Sequence, residues 1–402
     1  MRVIIRPGMP RGTVTAPPSK SMAHRLLICA ALAEGESIVR GVDPSQDILA
    51  TSDCLTALGA SLTWEGNTVR VRGFDPRKAS SAVLRCRESG STLRFMIPLC
   101  LLSGNPMRLE GSETLLSRPL SVYEDLCREQ GLRMDHADGG LLVEGRLASG
   151  DYTVSGSISS QFISGLLFAL PLLPGSSRIL LLPPVESRSY LDLTLQALYD
   201  AGVMVSRADD CTLDLPGNAA YSARDAEVEG DWSNAAFFEA FSCAGGEVTV
   251  TGLRPDSLQG DRICLEYLAR LKDGPAVLDL SDCPDLAPVL FVTAALCHGA
   301  VFTGTRRLRF KESDRGAVMA QEMAKFGVTL QLEENRITVP AVPLRAPSEP
   351  LDSHNDHRIA MALSLLCART GGEIVDAEAV RKSFPDYWER LRALGMDILT
   401  QP

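Results

Sequence analysis

One order of apolar and polar positions recurs along the chain. A stretch with apolar residues at helical spacing runs into a short turn containing glycine. Two short alternating stretches follow, separated by a polar turn. Residues 54–64 with 68–72 form one copy, 126–134 with 141–144 a second, and 195–206 with 211–215 a third. Residues 319–332 with 336–339 form a later copy, and 387–399 a truncated one. The first three recur about every 70 residues, the mark of an internal structural repeat. Helices alternating with paired strands predict α/β units with mixed sheets, not an unbroken parallel βαβ series.

At 402 residues the chain exceeds the size at which one core usually stops growing, so two domains are expected. Two stretches suit the crossings between them. Ala16-Pro17-Pro18 is stiff and extended. Near Glu229-Gly230-Asp231 the strand-rich first half gives way to a helix over 234–243. If the opening strand pairs with the C-terminal half, the domains share two linkers and can close on a ligand.

Composition narrows the class. Hydrophobic residues at 45% and charged ones at 22% are ordinary for a soluble globular protein. A net charge of −10 argues against nucleic acid as a partner, because that affinity rests on basic surface. Eleven cysteines, odd in number and irregularly spaced, read as buried thiols in a reducing cytoplasm and not as a disulfide framework. The apolar segment at the N-terminus is too short for a signal peptide. The longest apolar stretches, 162–173 and 286–302, fall below membrane-spanning length and contain proline. A cytoplasmic protein without membrane contact is expected.

Candidate chemistry gathers at helix starts. Ser19-Lys20-Ser21-Met22-Ala23-His24-Arg25 leads into an apolar helix, with Ser19 or Ser21 as its cap and Arg25 one turn beyond Ser21. Glu88-Ser89-Gly90-Ser91-Thr92-Leu93-Arg94 brings a small-residue turn to another helix, and Arg118-Pro119 follows. Gly156-Ser157-Ile158-Ser159-Ser160-Gln161-Phe162 and Ser187-Arg188-Ser189-Tyr190 repeat the theme with neutral donors. Lys311-Glu312-Ser313-Asp314-Arg315 packs two cations and two carboxylates into five positions. Asn355-Asp356-His357-Arg358 and Lys382-Ser383-Phe384-Pro385-Asp386-Tyr387-Trp388 complete the set.

Each cluster taken singly reads as a helix cap. Caps seldom place cations in the first turn, because the helix dipole disfavours them there. Lys20, Arg25, Arg94, Arg315 and Arg358 all break that rule, and a bound anion would compensate them. An enzyme for phosphorylated, carboxylated substrates follows. Its acid–base candidates are Glu312, Asp314, Asp285, Asp231 and His357, since a carboxylate beside cations stays ionised unless burial reverses the effect. His354, Asp356 and His357 lack zinc-site spacing, as do Cys297 and His298, so no metal is expected. Neither a nucleotide-cradling glycine loop nor GxSxG occurs.

In chain order, Pro17-Pro18-Ser19-Lys20-Ser21, Ser159-Ser160-Gln161, Glu229-Gly230-Asp231 and the 311–315, 355–358 and 382–387 segments resemble the motifs of the EPSP synthases. These are the 3-phosphoshikimate 1-carboxyvinyltransferases of the shikimate pathway, and the resemblance spans essentially the whole chain. It implies a two-domain enolpyruvyl transferase fold, an α/β (α+β) architecture. Each domain would hold three βαβαββ repeats around buried helices, an inside-out α/β barrel. An N-terminal domain over 19–228 would lie on the shikimate-3-phosphate side. A C-terminal domain of 1–18 plus 229–402 would lie on the phosphoenolpyruvate side, with the active site in the cleft. The implied reaction passes the enolpyruvyl group of phosphoenolpyruvate to the 5-hydroxyl of shikimate-3-phosphate by addition and elimination. It needs no cofactor, no metal and no covalent adduct, and a monomer is expected.

Carried over position by position, Lys20, Gly90, Arg94, Arg118, Gln161, Arg315, Arg358 and Lys382 look like the phosphoenolpyruvate set. Lys20, Ser21, Arg25, Ser159, Ser160, Gln161, Ser187, Asp285 and Lys311 look like the shikimate-3-phosphate set, flanked by Tyr190. Asp285 is implied as base toward the 5-hydroxyl, and Glu312 with Lys20 as partner in proton transfer at the methylene carbon. Two positions depart from the family pattern. Glu88-Ser89-Gly90 stands where many members have Asn-Ala-Gly, and Arg307 where an Asn often contacts the shikimate ring. The sibling transferases acting on UDP-N-acetylglucosamine place a Cys where this chain has Glu113. RNA 3′-phosphate cyclases need a basic surface. A non-catalytic relative would lack a clamp or acid–base residue, and every one is present here.

Overall fold

A four-stranded sheet of fixed order underlies the repeat. Its first two strands run parallel, and the other two add antiparallel. The computed structural model describes residues 1–137 and 139–401. The chain divides into two units, Pro18–Glu229 on one side and Met1–Pro17 with Gly230–Pro402 on the other.

In the Pro18–Glu229 unit, Val83–Arg85 lies parallel to Met107–Glu110, and Gly140–Glu144 and Arg133–Ala137 extend the sheet antiparallel. Asp151–Ser155, Ser177–Leu182, Thr212–Leu215 and Ser206–Asp209 repeat that order. So do Ala226–Glu227, Glu36–Arg40, Thr68–Arg72 and Ser61–Glu65. Alternation puts one side of each strand on the core: Ile179 and Leu181 are buried while Leu180 and Leu182 face out. Five helices position the candidate residues: α1 (Lys20–Leu32), α2 (Gln46–Leu58), α3 (Gly90–Cys100), α4 (Ser160–Ala169) and α5 (Arg188–Asp200).

Helices α3 and α4 are enclosed on all sides. Every residue of α3 except Ser91, and every residue of α4 except Gln161, is buried. A helix apolar around its whole circumference belongs inside a core. The two exceptions are polar, lie in the first turn of each helix and bond to one another, Gln161 Nε2 to Ser91 Oγ at 2.9 Å. The crossing depends on Gly165, where a Cβ would sit 2.3 Å from Tyr123 Oη and 2.5 Å from the Arg94 carbonyl. Tyr123 Oη fills that gap, 2.8 Å from the Arg94 carbonyl and 2.9 Å from that of Phe162.

The other unit carries the same sheet twice. Ala276–Asp279, Ala300–Thr303, Arg336–Val339 and Gln331–Glu333 form one copy. Leu351–Asp352, Gly372–Val375, Arg2–Ile5 and Ile398–Gln401 form the second, so the opening strand of the chain is an interior strand here. A shorter third element pairs Arg11–Thr15 with Glu247–Thr251 in parallel. Helices α6 (Trp232–Cys243), α7 (Ala287–Leu296), α8 (Arg315–Ala324) and α9 (His357–Thr370) pack beside these sheets, and α9 is buried over 357–368. Each unit has its own apolar core. Among the described residues no helix is long and apolar enough to cross a membrane.

Candidate active site

Caps set where the side chains fall. In the Pro18–Glu229 unit they are serines: Ser19 accepts from Met22 N, Ser89 from Thr92 N and Ser159 from Gln161 N. In the other unit they are carboxylates: Asp231 accepts from Asn234 N, Asp314 from Ala317 N and Asp356 from Arg358 N. Two of the acid–base candidates, Asp231 and Asp314, are therefore caps.

Around α3 and α4 the structure gathers Gly90, Arg94, Arg118 and Gln161. Arg94 Nη1 donates to Gln161 Oε1 at 2.7 Å, and its guanidinium lies 5.1 Å above the Phe162 ring. A Cβ on Gly90 would sit 3.0 Å from both Arg94 Nη1 and Arg118 Nη1, so glycine leaves the space in front of the two guanidiniums open. Arg118 makes no ion pair among the described residues. Two guanidiniums converging on a glycine turn suit a doubly charged oxyanion.

At α1 the pattern differs. Lys20 Nζ pairs with Asp47 of α2 at 2.8 Å. Arg25 is buried and spent on protein: Nη1 donates to Ser21 O at 2.6 Å, Nε to Thr194 Oγ1 and Nη2 to Tyr190 O, both at 2.9 Å. Burial pulls its pKa down to about 10, opposed by Tyr190 and Cys29. Arg25 thus braces α1 against α5. Ser160 is buried in the first turn of α4, and Ser187, also buried, precedes α5 with left-handed backbone.

In the Met1–Pro17 and Gly230–Pro402 unit, Asp285 stands before α7 and receives three cations. Lys311 Nζ lies 3.0 Å and Arg315 Nη1 2.8 Å from Oδ1, and Arg358 Nη2 lies 3.2 Å from Oδ2. Arg315 also reaches Glu312 Oε2 at 2.6 Å and Asp356 Oδ2 at 2.8 Å, and its side chain is 1% exposed. Arg358 Nη1 adds Ser233 Oγ at 2.7 Å. Lys382 Nζ donates to the Asn355 carbonyl at 2.5 Å, at the turn leading into α9.

Electrostatics follow from that geometry. Burial pushes the Asp285 carboxyl up, but Arg358, Lys311 and Arg315 together hold it well below the usual carboxylate range. Burial lowers the Lys311 ammonium against Asp285, with Arg315 and Arg307 adding to the fall. Arg315 is raised despite burial, by Asp356, Glu312 and Asp285. Asp285, Glu312 and Lys311 keep 18%, 21% and 23% side-chain exposure, so the network is open at those three and closed at Arg315 and Asp356.

Sequence reasoning passed over Asp356, Asp47 and Ser233 as site partners. Asp356 lies within Asn355-Asp356-His357-Arg358 and could have been found as the one carboxylate in that motif. Asp47 and Ser233 carry no local signal, because each matters through a partner distant in sequence. Among the described residues no group of three or more His, Cys, Asp or Glu side chains could hold a metal ion.

Comparison with known proteins agrees along the whole length. The model of the family "EPSP synthase (3-phosphoshikimate 1-carboxyvinyltransferase)" matches residues 6–391. A 3-phosphoshikimate 1-carboxyvinyltransferase from Clostridium perfringens is 38% identical, with 98% of each chain covered. Those from Clostridium beijerinckii and Clostridioides difficile are 38% and 35% identical, with 97% of each chain covered. An EPSP synthase structure from Acinetobacter baumannii has the same fold, with a TM-score of 0.79, 23% identity and coverage of 99% of this chain and 100% of that one. On the family match and the relatives together, the chain belongs to the EPSP synthase family.

Proposed function

We propose that this chain transfers the enolpyruvyl group of phosphoenolpyruvate to the 5-hydroxyl of shikimate-3-phosphate, the reaction for which its family is named. The methylene carbon of phosphoenolpyruvate takes a proton while the 5-oxygen bonds to the adjacent carbon and loses its own. The tetrahedral adduct then expels phosphate and gives up a methyl proton, leaving the enolpyruvyl ether. Such chemistry asks for fixed cations, one base and one acid.

The observation that carries this reading is the grip of Lys311, Arg315 and Arg358 on Asp285. An arriving phosphate or carboxylate competes with Asp285 for those cations. As they turn toward the ligand, the proton affinity of Asp285 rises, and the base is switched on by the substrate it serves. Gly90, Arg94, Arg118 and Gln161 bind phosphoenolpyruvate with Lys20, Arg315, Arg358 and Lys382. Ser21, Arg25, Ser159, Ser160, Ser187 and Lys311 serve shikimate-3-phosphate, Arg25 by holding Ser21 and α5. Asp285 accepts the 5-hydroxyl proton, and Glu312 with Lys20 handles the methylene carbon. Residues 19–228 act as the shikimate-3-phosphate domain, and 1–18 plus 229–402 as the phosphoenolpyruvate domain. The protein works as a cytoplasmic monomer, and its eleven free cysteines support a reducing compartment.

The test is phosphate release by the purified protein with both substrates and excess EDTA. Release that needs both substrates and survives EDTA supports the reading. Release only when UDP-N-acetylglucosamine replaces shikimate-3-phosphate would sink the acceptor, and silence with both would sink the activity.

A further inference from the structure

A buried hydrogen-bond chain runs behind the Gly90 turn, and the proposed reaction does not use it. His24 Nδ1 on α1 lies 2.8 Å from Thr51 Oγ1 on α2, which lies 2.7 Å from Thr92 Oγ1 on α3. Thr92 Oγ1 donates to Ser89 Oγ, the α3 cap, at 2.7 Å. All four side chains belong to residues no more than 1% exposed. The His24 ring meets the Phe95 ring edge-on with centroids 6.2 Å apart. Its Nε2 is buried without a hydrogen-bond partner among the described residues.

Proton counting sets the direction of the chain. Thr92 spends its single hydroxyl proton on Ser89 at 2.7 Å and not on the Asp47 carbonyl, which is 3.4 Å away. The Thr51–Thr92 bond must then use the Thr51 proton. That leaves Thr51 Oγ1 as acceptor from His24, so Nδ1 carries the hydrogen. This tautomer puts a lone pair, not an N–H, at the enclosed Nε2. Burial first, then Lys20 and Arg25, hold the imidazole pKa well below its ordinary value, so the ring stays neutral.

We propose that His24 is a positioning residue: its Nδ1–H anchors the Thr51–Thr92–Ser89 chain and thereby fixes the first turn of α3 against α1 and α2. Gly90 and Arg94 sit on that turn, and Lys20 sits one turn before His24, so His24 keeps the Arg94 guanidinium in register with Lys20. The inference rests on the phosphoenolpyruvate role given above to Gly90 and Arg94.

The test compares three single variants and one double variant with the wild-type enzyme. His24→Phe keeps the ring and deletes the donor. It should raise KM for phosphoenolpyruvate about tenfold, with KM for shikimate-3-phosphate and kcat within about threefold of wild type. His24→Asn, which can donate from a similar point, should recover most of that loss. Thr51→Val should reproduce it, and the double variant with His24→Phe should be no worse than either alone. Equal KM values for all variants, or no rescue by asparagine, would overturn the proposal, and Thr51→Val decides if His24→Phe does not fold. Nitrogen-15 NMR of the wild type at pH 7 should find Nδ1 protonated and Nε2 bare. An Nε2–H tautomer or an imidazolium overturns the proposal whether or not the enzyme turns over these substrates. An inactive wild type with the expected tautomer would instead indict the functional reading.

Discussion

Asp285 meets two opposed demands, ionised enough to hold three cations and basic enough to take a proton. Replacing it by asparagine separates them. Asp285→Asn should lower kcat by at least about 100-fold, since a positioned base contributes that much, while phosphoenolpyruvate binds no more weakly because Arg315 and Arg358 lose a competitor. Steady-state kinetics with direct ligand titration checks both halves. Asp261, behind the same network, shows the reverse shift. Burial first and then Asp285 push its carboxyl up to about 6, against Arg358 and a hydrogen bond from Ser233. An acid whose folded pKa is raised holds its proton more tightly folded than unfolded. Its contribution to stability is therefore best below about pH 4 and falls as pH climbs toward about 6, by about 3 kcal/mol at 1.36 kcal/mol per unit. Asp261→Asn should unfold at a higher temperature than wild type at pH 8, with the gap closing at pH 4, as calorimetry would read. Residue chemistry was legible where several charges crowd one motif, as in 311–315. It was hidden where function runs through contacts distant in sequence, as in Lys20 with Asp47 or Arg25 with Thr194.

Helix starts divide by unit. Serine caps leave the positive ends of α1, α3 and α4 uncompensated, whereas the aspartate caps of α6, α8 and α9 neutralise theirs. The Pro18–Glu229 unit therefore attracts anions through backbone as well as side chains, and the other unit must rely on Arg315, Arg358 and Lys311. The α3–α4 crossing is the tightest constraint on that backbone. Gly165→Ala would drive a methyl into Tyr123 Oη and the Arg94 carbonyl, and should cost about 1–3 kcal/mol as an overpacking change, visible as a lower Tm. Elements were readable where one face is apolar and the other polar, as in the copy ending at Thr68–Arg72. Helices α3 and α4, buried almost all round, were legible in another way, because a serine-rich polar turn leads straight into each apolar run. Sheet order was legible only in outline: sequence reading could raise the pairing of the opening strand with the C-terminal half as a condition, but the partners of Arg2–Ile5 lie roughly 370 and 400 positions on, and nothing local encodes the match.

At the scale of the molecule, the Pro18–Glu229 unit is one continuous segment with its own core. Expressed alone, residues 18–229 should fold cooperatively, with a single sharp thermal transition. A fragment of 230–402 should not, because it lacks the interior strand Arg2–Ile5 and leaves Gly372–Val375 and Ile398–Gln401 unpaired along facing edges. Adding residues 1–17 in trans as a peptide should restore its circular dichroism. Against an adverse net charge of −10, Lys20, Arg25, Arg94, Arg315 and Arg358 still stand at or near the starts of their helices. Placing the first strand in the last sheet also sets a timetable. During synthesis, Arg2–Ile5 is made roughly 370 residues before Gly372–Val375, the earlier of its two sheet partners. At about 5–20 residues per second that wait lasts roughly 20–70 s, during which an apolar strand without its sheet stays open to chaperones and to neighbouring nascent chains.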